Sequence, residues 1–147
     1  MTTTGLKVFD DTIHTTNGWL HELNSRMGWD DRQAAWRLLR VGLHAIRDRL
    51  PVNAAAHFSA QLPMLVRGMF YEGWQPAKVP HKIETPYAFL APLREAFSHD
   101  FNFDAEAAFR ELLDVLRMHV SAEELDNIKA VMPAELKPLW EKAPIGP

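Results

Sequence analysis

The chain has no cysteine among its 147 residues, which excludes disulfides and thiolate chemistry and fits a reducing compartment. It has no uninterrupted apolar run approaching 18 residues, so no segment is expected to span a membrane. The N-terminal stretch MTTTGLKVFDDTIHTTNG lacks a basic region followed by a long apolar core, the pattern of a secretory signal or transit peptide, and a cytoplasmic location is expected. No charge dominates: 16 Lys and Arg stand against 19 Asp and Glu, a net charge of −3 that gives no general pull toward a polyanion. Long alternating runs of apolar and polar residues are missing, so β-structure has little support. Also missing are a nucleophile elbow, a P-loop and a dinucleotide fingerprint. With 47% hydrophobic and 24% charged residues, what remains is the composition of an ordinary globular protein.

Helical periodicity fills most of the chain. Phe9, Ile13, Thr16, Leu20, Leu23 and Met27 recur at steps of three and four, so one helix face carries them all. Gly28 is placed to stop that helix, and Asp30 or Asp31 to cap the next by accepting free backbone N–H groups. Trp36, Leu39, Leu43, Ile46 and Leu50 form a second stripe, ended near Pro51. Ala55, Phe58 and Leu62 predict a short third helix, and Pro63 suits the first turn of a fourth.

The same order then recurs. Leu90, Leu93 and Phe97 follow Leu20, Leu23 and Met27 at a constant offset. WDDRQAAWRLL from Trp29 resembles FDAEAAFRELL from Phe103, matching Trp36 with Phe109, Arg37 with Arg110 and Leu39 with Leu112. FSAQLPMLVRGMF from Phe58 resembles IKAVMPAELKPLW from Ile128, matching Pro63 with Pro133 and Phe70 with Trp140. The predicted fold is therefore all-α: two tandem pseudo-symmetric helical half-domains of three to four helices each, related by an approximate two-fold and repeating at roughly 70 residues. A unit of that size is only marginally stable alone, so the halves should pack on one another. The expected boundaries are a tail over 1–8, a first repeat over 9–72, a Pro-rich linker over 73–84, a second repeat over 85–141 and a tail over 142–147. In the linker Gly73 ends a helix, Pro76 and Pro80 hold the chain extended, and Thr85-Pro86 starts the fifth helix.

GWDDRQAAWRLLRVGLHAIRDRLP followed by AAHFSAQLPMLVRGMFYEGWQP resembles the domain of unknown function 2267 family, a set of small bacterial all-helical proteins. The resemblance rests on the Asp-Arg-x-x-Ala helix start, the Arg-Leu-Pro helix end, the Gln-Leu-Pro turn and the Tyr-Glu-Gly-Trp segment, and spans roughly residues 9 to 141. It implies a bacterial, soluble, duplicated helical domain and brings no activity, cofactor or site residue. The second copy has Met132 in place of the Leu of Gln-Leu-Pro and no Tyr-Glu-Gly-Trp after Trp140.

The reactive residues read mostly as structural. His14 and His21 stand seven apart and lack the spacing of helical metal ligands, and His81 and His99 flank the fifth helix without a partner, so no metal or cofactor is expected. Carboxylate pairs at Asp10-Asp11, Asp30-Asp31 and Glu123-Glu124 lie at helix starts, where acids oppose the dipole, and Ser121 with Glu124 spells a capping box. No catalytic residue is expected. Arg32, Arg37, Arg40, Arg47 and Arg49 cluster on helix two; Arg40 and Arg47 would line a face for nucleic acid, but ion pairing is the simpler role. Arg37 and Arg110, at matched places, suit an inter-helix pair. The leading reading is a non-catalytic interaction or regulatory module with a protein partner or a second copy, and not an enzyme. The alternative is a small-molecule binder or enzyme with a pocket between the halves near Tyr71, Trp74, His81 and Lys82. Tyr71 and Trp74 serve either as a staple for the linker or as anchors for a partner.

Overall fold

Helix starts are set by a few capping side chains. In the computed structural model, which describes residues 4–141, Asp31 accepts from the N–H groups of Gln33 and Ala34, Asp104 from Ala107, Ser121 from Glu124 and Thr85 from Ala88. The elements are α1 (Lys7–Met27), α2 (Arg32–Asp48), α3 (Val52–Ser59), α4 (Met64–Tyr71), a 3-10 turn (Pro76–Lys78), α5 (Pro86–Phe89), α6 (Ala91–Ala96), α7 (Ala105–His119), α8 (Ala122–Ala130) and a closing 3-10 turn (Lys137–Trp140). Among the described residues there is no strand, so the fold is all-helical. Gly28 ends α1 at a φ of +68°, where only glycine is free of strain.

One continuous core runs through both sets of helices and contains Leu39, Leu43, Phe58 and Phe70 together with Phe89, Phe109, Leu112 and Leu116. The earlier helices meet the later ones at four places: α1 packs on α7, α6 packs on α2, α2 crosses α7, and α3 meets α8. At the α2–α7 crossing a Cβ on Gly42 would run into the Leu112 side chain, so close approach of the two helices requires glycine there. An aromatic stack closes one side of the seam, with Trp29 and Phe103 both against Phe97, at 5.6 Å and 4.3 Å between ring centres.

Two arginines pin the ends of the sets. Arg47, only 4% exposed, donates to the carbonyls of Phe70 at 2.8 Å and Glu72 at 2.6 Å and pairs with Asp48 at 2.9 Å. Arg117 donates to the carbonyl of Trp140 at 2.7 Å and pairs with Asp114 at 2.5 Å. In each case the guanidinium fork joins a carboxylate on its own helix to backbone carbonyl oxygen of a later segment.

Several expectations need correction. Helix α1 begins at Lys7, inside the stretch assigned to a tail; residues 1–3 and the 142–147 tail lie outside the described residues. The fifth helix is two short ones, α5 and α6, divided at Leu90 just before Pro92, which cannot donate to a continuing ladder. The linker is not extended throughout, because Pro76–Lys78 forms a 3-10 turn. The capping box at Ser121 is half made: the Ser121 N–H donates to Gln61 Oε1 at 2.8 Å, and the Glu124 carboxylate reaches His57 Nδ1 at 2.6 Å instead. Arg37 and Arg110 are not matched ion pairs. Arg37 lies over the Phe97 ring at 5.3 Å, whereas Arg110 donates to the Glu141 carbonyl and faces Glu106 at 3.6 Å.

Candidate functional site: an apolar groove between α1 and α4

The apolar stripe of α1 outruns its cover. Thr16, Leu20 and Leu23 are buried, but Phe9, two turns earlier, remains 46% exposed. Across from it α4 begins with Met64 and Leu65, each 43% exposed. Between these helices lies a groove of about 580 Å3, lined chiefly by Phe9, Ile13, Trp36, Met64, Leu65 and Met69, with Gly68 adding no side chain. Thr4, Thr12 and Glu72 supply its polar border.

Polar bonds hold the groove open by fixing α4. Pro63 provides no side-chain cap, and the Leu65 N–H donates to Thr12 Oγ1 of α1 at 2.9 Å. At the other end His44 Nε2 donates to the Met69 carbonyl at 2.8 Å, and Arg47 holds the carbonyls of Phe70 and Glu72. Burial is the main force lowering the pKa of His44 below its ordinary 6.5; the bond to Met69 opposes the shift, and the charges of Arg47 and Arg40 add to it. The imidazole is therefore held neutral.

Trp36 is half-buried and forms a border shared with a second hollow of about 420 Å3, lined also by Leu20, Arg32, Gln33, Arg37 and Arg40. Among the described residues none of these three arginines is paired with a carboxylate: Arg32 bonds the Asn17 amide and Arg37 covers Phe97.

The residues singled out from the sequence lie elsewhere. Tyr71 and Trp74 come together, rings 5.2 Å apart, with Tyr71 Oη 2.5 Å from Ser59 Oγ and Trp74 packed on the core. His81 and Lys82 are in the linker; the His81 N–H donates to the Asp48 carbonyl at 2.7 Å, and Lys82 is exposed. None of the four lines the groove. Arg40 and Arg47 do not share an exposed face, because Arg47 points inward to backbone carbonyls. Among the described residues no group of three His, Asp or Glu side chains is placed to hold a metal ion, and no helix is long and apolar enough to cross a membrane.

Phe9, Ile13 and Trp36 read from sequence as core, so the groove went unseen. A signal did exist in the aligned copies, where Met64 and Leu65 stand opposite Ala134 and Glu135. An exposed apolar pair that is absent from the matched segment is not there to fill a core.

The fold and groove together define a small all-helical protein with an open apolar recess between α1 and α4. The chain belongs to the family described as an uncharacterized conserved protein, DUF2267, which matches residues 16–139 and so covers most of its length. Comparison with curated proteins finds no match.

Proposed function

We propose that the protein is a non-catalytic interaction module, built from a duplicated helical unit, whose first copy carries the binding surface. The duplication is supported by the reciprocal contacts of α1 with α7 and α6 with α2, the pattern of an isologous pair. It is supported also by Arg47 and Arg117, which reach the carbonyls of Phe70 and Trp140, residues matched in the two sequences. The groove carries the functional reading, because large apolar side chains stand exposed along a recess that is rimmed by polar residues. A bacterial cytoplasmic setting agrees with the lack of cysteine.

The volume also falls within the range of small-molecule sites. The exposure of Phe9, Met64 and Leu65 favours a macromolecular partner, since a partner's surface would cover all three at once. The test is a photo-crosslinking residue placed at Leu65 and, separately, at its counterpart Glu135, in the native host. A defined protein adduct from position 65 and none from position 135 is expected. Equal labelling from both positions, or labelling from neither, overturns the assignment of the groove.

A further inference from the structure

Resting on that reading of the groove, we propose that its partner is an amphipathic helix with an apolar face and an acidic flank. The apolar groove and the arginine hollow are not separate features, because Trp36 lines both. A ligand seated on Phe9, Ile13, Met64 and Leu65 would run against Trp36 and onto Arg32, Arg37 and Arg40.

The arrangement of charge selects the class of ligand. Arg32 and Arg40 are eight residues apart in α2, about 12 Å along the axis at the rise of an α-helix. The three arginines are thus set along about two turns of α2, beside one hollow. Acidic side chains at positions i, i+4 and i+8 of a partner helix repeat at the same rise and can meet them. Apolar residues at i, i+3, i+4 and i+7 of that helix fit a groove whose walls are themselves helices. The arginines bring unused charge: Arg32 is held by an amide, Arg37 by a ring, and neither is neutralised. The nearby acids Asp30, Asp31 and Asp100 line an adjoining hollow with Trp29, Phe97 and Arg37, so Arg37 is shared with them; Arg32 and Arg40 do not line it, and Asp31 is engaged as the α2 cap. Glu72 lines the groove but not the arginine hollow, so a bound helix should carry its acids toward the start of α2 and none beside Glu72.

The experiment titrates the full chain with two synthetic helical peptides that share one apolar face, one flanked by Glu and the other by Lys. Binding is followed by amide chemical shifts. The acidic peptide is expected to bind about tenfold or more tightly than the basic one, as several partly exposed ion pairs together permit, and to weaken as salt rises. R32E combined with R40E should reverse the preference, and Leu65→Glu should abolish both interactions. If both peptides bind equally and Leu65→Glu removes both, the groove stands as a docking site and the acidic partner is wrong. If neither perturbs α1 and α4, both readings fall. If sedimentation of the free chain shows a dimer that Leu65→Glu dissolves, the occupant is a second copy and the acidic-helix proposal is overturned.

Discussion

Trp36 and Phe109 hold matched places in α2 and α7, yet Trp36 is half-buried and Phe109 is 0% exposed. The difference lies in what each set builds over that position. In the second set the chain breaks between α5 and α6, and Phe89, Phe109 and Trp140 form one cluster, with Phe109 5.2 Å from Phe89 and 5.4 Å from Trp140 and the latter two 5.7 Å apart. In the first set α1 runs unbroken from Lys7 to Met27, and Phe70, the match of Trp140, packs instead on Phe58 and Tyr71. Two residues matched in sequence thus sit in a sealed cluster in one place and at the edge of an open recess in the other. The recess is not a requirement of the fold, and this singles it out as the place to look for a partner.

The largest expected effect tests that contrast directly. Phe109→Ala should cost about 3–5 kcal/mol in urea unfolding, the range for deleting an enclosed aromatic. Trp36→Ala should cost no more than about 2 kcal/mol because solvent already reaches that ring. Equal costs would show that the recess is closed in solution. Next in size is the arginine pair. Arg47→Ala leaves the buried Phe70 carbonyl, the Glu72 carbonyl and Asp48 without their donor and should cost about 3 kcal/mol, whereas Arg117→Ala, on a side chain 29% exposed, should cost about 1 kcal/mol.

The smallest effect concerns His44, beneath the groove. Its pKa is lowered on folding, so the unfolded chain binds the proton more readily. Its contribution is complete above the ordinary value of 6.5 and is lost as the pH falls through the lower folded value. Unfolding measured at pH 7.5 and pH 5.5 should show a smaller loss on acidification for His44→Gln than for the native chain. An identical loss would remove His44 from this role.

Much of the fold was legible because it depends on local chemistry. The stripes, the Gly28 stop and the Asp31 cap are fixed by periodicity and by backbone groups that need partners. The groove was not legible, because a three-four stripe shows which face is apolar and not how far a neighbour covers it. Phe9 and Leu20 look alike in that pattern and differ only in what lies across from them. The burial of Arg47 was equally hidden, since arginine is ordinarily a surface residue and its carbonyl partners lie 23 and 25 positions away. The sequence left Tyr71 and Trp74 open between a staple and partner anchors, because periodicity does not show what a residue just past a helix end packs against; in the structure their rings meet at 5.2 Å and Trp74 packs on the core.

The linker has a consequence beyond geometry. It is fastened by Trp74 on the core, by the His81 N–H on Asp48 and by Arg49 on the Ile83 carbonyl at 2.9 Å. The contacts of α1 and α2 with α6 and α7 could be made equally well by the later helices of a neighbouring molecule, the general route of domain swapping. A short fastened tether holds its own second set at an effective concentration on the order of millimolar, above that of any neighbour in dilute solution. Pairing is thus decided by the tether before the interface is ever sampled, and the same chain without those fastenings would be a candidate for domain swapping.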